Sequence, residues 1–135
     1  MPVKDRYHDI VIIALTKAGW TVTGEQVRLR VPGRRLWVDI RAVKANERLS
    51  ILVEVKGFEN APSQVEYLAG AVGKYVLYAS ILNDLKSDER LYLAVPELAY
   101  NGILSEKIGQ NVIKSVQIRL IVFDPERAEI VQWID

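Results

Sequence analysis

The chain contains no cysteine and a single histidine in 135 residues. Without thiols it can form neither a disulfide framework nor a thiolate zinc site, and one imidazole cannot make a histidine-rich metal centre. Any metal would have to be held mainly by oxygen. No apolar run reaches the roughly 18 residues of a membrane span, and the opening M-P-V-K-D-R-Y-H lacks the order of a secretory signal. The expected compartment is therefore cytoplasmic. Neither sign of charge is in excess, since 18 Lys and Arg face 17 Asp and Glu for a net charge of +1. That balance alone says nothing in favour of nucleic acid.

Half of the residues are apolar, enough at this length for one real core, and a single domain over 1–135 is expected. No repeat, low-complexity tract or interdomain linker interrupts it. The charge is unevenly spread: residues 1–60 hold 11 Lys and Arg against 7 Asp and Glu, and residues 61–135 hold 7 against 10. Arg28, Arg30, Arg34, Arg35, Arg41, Lys44 and Arg48 crowd the positive half. Such a rim suits a phosphate backbone, and it equally suits solvated strand edges that charge protects from aggregation.

The most informative stretch runs from Trp37 to Gly57, two apolar strands joined by a polar turn at Asn46-Glu47. Alternation sends Val38 and Ile40 to one face and Trp37, Asp39 and Arg41 to the other. On the second strand Ile51, Val53 and Val55 share a face, opposite Leu52, Glu54 and Lys56. A turn centred on Asn46-Glu47 sets Asp39 directly across from Glu54, with Cβ atoms about 5 Å apart. Two facing carboxylates destabilise a hairpin unless something positive lies between them, and a divalent cation would serve. The alternative is a solvated strand face with a weak Glu54–Lys56 ion pair, worth a few tenths of a kcal/mol, roughly. Apolar flanks favour a central strand, where such charges are costly without purpose.

In chain order, Lys4 to Ala18 predicts a helix with Tyr7, Val11, Ala14, Leu15 and Ala18 on one side and Gly19 as its stop. His8 lies in its first turns, open to a site role or to packing, and Asp5 and Asp9 suit a helix N-terminus. Trp20–Val31, Arg34–Val43 and Leu49–Lys56 predict a three-stranded meander with Pro32-Gly33 as its first turn. After a loop at Asn60-Ala61-Pro62-Ser63, a long helix runs to Asp84. Its core stripe is expected to be Val65, Leu68, Val72, Tyr75, Val76, Ala79 and Leu82. A second stripe of Tyr67, Ala71, Tyr78, Ile81 and Leu85 suggests a homodimer face or cover from later elements, while Gly70 and Gly73 would permit close approach to the sheet. Leu91–Val95 predicts a central strand reached by a crossover. Pro96–Tyr100 and Leu104–Lys114 predict short helices, and Gln117–Phe123 with Ala128–Ile134 a closing hairpin.

This order, with an acid on the second strand and Glu-x-Lys on the third, resembles the PD-(D/E)xK nuclease superfamily. More closely, the chain resembles the fdxN element excision controlling factor (XisH) family along nearly its full length. The resemblance is carried by Y-H-D at Tyr7–Asp9, A-L-T-K-A-G-W-T-V-T at Ala14–Thr23, W-V-D-I, V-E-V-K, Y-V-L-Y at Tyr75–Tyr78, L-Y-L-A-V-P at Leu91–Pro96, V-F-D-P and I-V-Q-W-I. The chain departs from the family in having Gly73-Lys74-Tyr75 where Gly-Gln-Tyr is usual. It departs from the superfamily's nominal motif in having Val38, not Pro, before Asp39.

The resemblance implies an α/β fold with a restriction-endonuclease-like core, a mixed β-sheet flanked by helices in the order α-β-β-β-α-β-α-β-β. It implies control of excision of a DNA element in cyanobacteria, alongside a site-specific recombinase and a second small controlling factor. At the motif positions Asp39, Glu54 and Lys56 are the catalytic candidates. Mg²⁺ or Mn²⁺ would be held by Asp39, Glu54 and the main-chain carbonyl of Val55. Lys56 would orient or deprotonate the attacking water. His8, Glu66 and Lys74 are accessory candidates, and Arg28, Arg30, Arg34, Arg35 and Arg41 are the candidate DNA contacts. A non-catalytic DNA-binding or recombinase-regulating subunit on the same scaffold is the alternative. A small-molecule hydrolase is disfavoured by the missing nucleophile–base pair and phosphate loop.

Overall fold

The structure, a computed structural model, describes residues 5–59 and 63–135. Its first helix, α1 (His8–Lys17), buries Val11, Ala14 and Leu15 at helical spacing, and Gly19 at φ +91° turns the chain away from it. The expected start at Lys4 lies outside the described residues. Strands β1 (Thr21–Val31) and β2 (Arg34–Lys44) pair antiparallel. Pro32 presets the first corner of their turn, and Gly33 takes φ +75° at the second, where a side chain would be strained. A single 3-10 turn at Ala45–Glu47 leads into β3 (Leu49–Val55).

The long helix α2 (Gln64–Asp84) starts at Ser63, whose Oγ accepts a hydrogen bond from the Glu66 amide at 3.2 Å. Of the loop expected before it, only Ser63 falls within the described residues. Strand β4 (Arg90–Pro96) lies parallel to β3 and, apart from Arg90, is wholly buried, as a central strand should be. Helices α3 (Glu97–Asn101) and α4 (Lys107–Val116) lead to β5 (Leu120–Asp124), parallel to β4, and to β6 (Glu129–Ile134), antiparallel to β5. The result is a mixed six-stranded sheet in the order β1-β2-β3-β4-β5-β6, flanked by helices.

Each face of the sheet carries its own core. One gathers Val11 and Leu15 of α1 with Ile40, Ile51, Val53, Val55, Ile121 and Phe123. The other gathers Leu68, Ala71, Tyr75 and Tyr78 of α2 with Leu52, Leu93, Leu104 and Leu120. Each fully buried Leu or Phe contributes on the order of 1.5–3 kcal/mol of transfer free energy. No helix among the described residues is long and apolar enough to cross a membrane.

Three local expectations are corrected. The buried stripe of α2 is Leu68, Ala71, Tyr75, Tyr78 and Leu82, a mixture of the two stripes expected. Val65, Val76 and Leu85 are exposed instead, because the line that packs on the sheet runs through Leu68, Ala71, Tyr75, Tyr78 and Leu82. Gly70 and Gly73 face open space, with nothing within 4 Å of an added Cβ, so neither permits close packing on the sheet.

Val38 and Ile40, expected on one face, enter opposite cores, Val38 with α2 and Ile40 with α1. The cause lies across the ladder in β1. Pairing steps from Glu25↔Ile40 to Val27↔Val38, and Gln26 between them takes φ +49°. A left-handed residue there breaks the alternation and lets the end of the β1–β2 hairpin swing its apolar side, Val27, Leu29, Leu36 and Val38, over α2. Asp39 stands opposite that break.

Candidate functional site

The register places Asp39 beside Glu54. Pairs of β2 and β3 run from Lys44↔Leu49 to Ile40↔Val53, so the next step of the same register brings Asp39 to Glu54, where the turn position predicted it. Asp39 is buried, and its Oδ2 accepts a hydrogen bond from the Val55 amide at 2.8 Å. Glu54 is 2% exposed. Lys56 follows just past the end of β3, with its ammonium 5.7 Å from the centre of the Tyr67 ring. Asp39, Glu54, Val55 and Lys56 line one cleft of about 380 Å³ together with Asp5, Arg35, Leu36, Trp37, Lys74 and Tyr78.

Glu54 is the electrostatic centre of this cleft. Its Oε2 pairs with Lys74 Nζ of α2 at 2.9 Å, while its Oε1 is buried with no hydrogen-bond partner. Burial first, and the charge of Asp39 second, push the Glu54 carboxyl up to about 7, against the opposing pull of Lys74 and Lys56. For Lys74, burial is the largest influence and works downwards. The hydrogen bond and charge of Glu54 outweigh it and hold the ammonium above the ordinary lysine range. Tyr78, whose hydroxyl donates to the Trp37 carbonyl at 2.8 Å, is raised by burial and then by Glu54.

The donor set suits a hard divalent cation. Two buried carboxylates of adjacent strands converge, one buried oxygen is orphaned, and a buried acceptor left unmade costs roughly 1–3 kcal/mol. Mg²⁺ or Mn²⁺ takes oxygen ligands of this kind. Asp39 and Glu54 would hold it, with Val55 at the rim.

Asp5 was not anticipated here. The helix begins only at His8, so Asp5 does not cap it. Its carboxylate accepts from the amides of Tyr7 and Gly57 at 3.0 Å each and from the Tyr67 hydroxyl at 3.3 Å. It ties the N-terminal segment to the end of β3. The contact needs Gly57, since a Cβ there would meet Tyr7 Cδ2 at 2.9 Å and Asp5 Oδ1 at 3.0 Å. Gln26 also escaped notice, and both polar atoms of its side-chain amide are buried without a partner. No periodicity or motif signals either residue, because each acts across the fold.

Of the accessory candidates, only Lys74 reaches the cleft. His8 is buried on the α1 side, bonded through Nε2 to Glu25 Oε1 at 2.9 Å. Glu66 sits exposed in the first turn of α2, where an acid complements the helix N-terminus.

The arginines divide in the same way. Arg41 is bound by Glu89 through Nε at 2.7 Å and Nη2 at 3.0 Å, and Ser50 donates to the same carboxylate. It is thus neutralised within the fold and is not part of an open rim. Arg28, Arg30, Arg34 and Arg35 are exposed and make no ion pair among the described residues. Arg30 lies directly across from Arg35, and Arg28 across from Trp37. Arg35 and Trp37 line the cleft together with Asp39. About 13 Å of strand separates Arg35 from Asp39.

The fold is a mixed α/β protein with a six-stranded sheet flanked by helices, and its cleft gathers the buried carboxylates of Asp39 and Glu54 with Arg35, Lys56 and Lys74. The family model described as XisH protein matches residues 1–131, and the chain belongs to the XisH family. It is similar over 98% of its length to the whole of a crystallised fdxN element excision controlling factor protein from Anabaena variabilis, at 32% identity and a TM-score of 0.90. It is equally similar to a crystallised XisH family protein from Nostoc punctiforme PCC 73102, at 32% identity and a TM-score of 0.89, covering 97% of this chain and all of that one. A search of curated proteins finds no match.

Proposed function

We propose that this protein acts on DNA during excision of a genetic element, with a restriction-endonuclease-like core whose cleft binds Mg²⁺ or Mn²⁺ and hydrolyses a phosphodiester. The observation that carries the proposal is the pairing of Asp39 with a nearly inaccessible Glu54 that keeps one oxygen unpartnered, beside Lys56. A cation bound there would supply Lewis acidity to the phosphoryl oxygen and to its attacking water. Asp39 and Glu54 would hold it. Lys56 would orient that water and offset charge on the phosphate. Arg28, Arg30 and Arg35 would hold the backbone on the hairpin face beside the cleft, with Arg34 at the hairpin turn.

A second reading is favoured by the Lys74–Glu54 ion pair, which already supplies Glu54 with a cation. In it the scaffold binds DNA without cutting and works through contact with a site-specific recombinase and a second small factor. Of the second stripe of α2, Tyr78 is buried in the core, while Tyr67 and Ile81 are only partly buried against it. Incubation of supercoiled plasmid with Mg²⁺ or Mn²⁺ separates the two readings. The catalytic one requires metal-dependent nicking that Lys56→Ala abolishes while its circular dichroism and melting match the wild type. Metal-independent DNA retention with no nicking would leave the non-catalytic one.

A further inference from the structure

We propose that Lys74 is the built-in counter-ion of this cleft, so that a divalent cation enters only by displacing its ammonium from Glu54, and Lys74 sets the metal affinity. The inference rests on the metal-binding reading above and concerns how that site is regulated. Glu54 is 2% exposed and offers two oxygens. Lys74 Nζ takes Oε2 at 2.9 Å, and Oε1 has no partner. A cation bridging Asp39 and Glu54 would lie within a few ångströms of that ammonium, and two positive charges so close in a site shielded from water repel strongly.

The geometry makes displacement feasible. Lys74 reaches in from α2 on a flexible stem whose side chain is 41% exposed, against 3% for Glu54. The ammonium can therefore withdraw into water at small cost, while the carboxylate cannot. On leaving Glu54 the stem has the Tyr78 ring to lie on, already 5.8 Å from Nζ. Lys56 differs in this respect, because its ammonium lies over Tyr67 and makes no ion pair with Glu54 among the described residues. Of the three cations that line the cleft, Arg35, Lys56 and Lys74, only Lys74 is paired with Glu54 among the described residues. Without metal, Lys74 keeps the buried acid from standing uncompensated; with metal, it becomes free for an anionic substrate.

Calorimetric titration of Mn²⁺ into EDTA-stripped full-length protein at pH 8, without DNA, tests this on the wild type, Lys74→Gln and Lys74→Arg. Removing the competing charge is expected to tighten binding by about tenfold or more, and Lys74→Arg, which keeps it, should bind no tighter than the wild type. A companion measurement follows acetylation of the Lys74 amine in the wild type by mass spectrometry, with faster labelling expected once Mn²⁺ is added. Equal or weaker binding by Lys74→Gln, or labelling indifferent to Mn²⁺, overturns the proposal while leaving the metal site intact. Failure of all three proteins to bind Mn²⁺ overturns the metal reading and this inference with it.

Discussion

Replacing Glu54 with Gln should make the metal-free protein more stable at pH 8 and leave it almost unchanged at pH 4.5. Glu54 is held at about 7 in the folded chain against 4.5 ordinarily. A raised carboxyl pKa means that the native state binds the proton more tightly than the unfolded state. The stabilisation from that proton is complete below about pH 4.5 and is lost as pH climbs through 7. At 1.36 kcal/mol per unit the loss is at most about 3 kcal/mol above pH 7. The glutamine variant carries no proton to lose and keeps the shape. Its stability advantage should thus grow from near zero to a few kcal/mol, or about 10 °C in Tm for a chain of this size. Urea unfolding in EDTA between pH 4.5 and 8.5 measures it. Only the difference between the two proteins is diagnostic, since other groups titrate in both. A difference that stays constant with pH, or a variant less stable at pH 8 than the wild type, would refute the idea that burial and Asp39 outweigh Lys74 in holding the Glu54 carboxyl high.

Other expectations follow from the same geometry. Asp39→Asn keeps the acceptor for the Val55 amide but removes a charge, so Mn²⁺ affinity should fall by about tenfold or more while the fold survives, as followed by calorimetry. Gly57→Ala would drive a methyl group into Tyr7 and Asp5 and should cost about 1–3 kcal/mol in thermal unfolding. Gly70→Ala and Gly73→Ala, in an open stretch of helix, should each stabilise by about 0.5–1 kcal/mol in the same assay. Arg30→Ala with Arg35→Ala should flatten the salt dependence of DNA binding by roughly two contacts. Arg41→Ala should leave that slope alone and lower stability instead, because it takes from the Glu89 carboxylate its only ion-pair partner among the described residues.

Local periodicity and turn chemistry were enough to place nearly every element. The Pro32-Gly33 turn set the first hairpin and Asn46-Glu47 the register of the second, because a turn fixes which residues face each other across two strands. That register alone brings Asp39 to Glu54. The wholly apolar Leu91–Val95 likewise announced a central strand, since no other position buries both of its faces. These are short-range properties, and the chain states them in its own spacing.

What the sequence left undetermined depends on groups distant along the chain. The left-handed backbone at Gln26 accompanies the passage of one strand's apolar side from one core to the other, and no residue type in the stretch announces it. Asp5 looks like a helix acid until Gly57 comes within reach. Arg41 looks like part of a basic rim until Glu89, 48 residues away, neutralises it. Lys74 stands level with His8 and Glu66 as an accessory candidate until α2 brings its ammonium, and not theirs, to Glu54. Which charges are compensated, and by which partners, is decided by desolvation and by distances of a few ångströms, and only the folded chain brings those groups together.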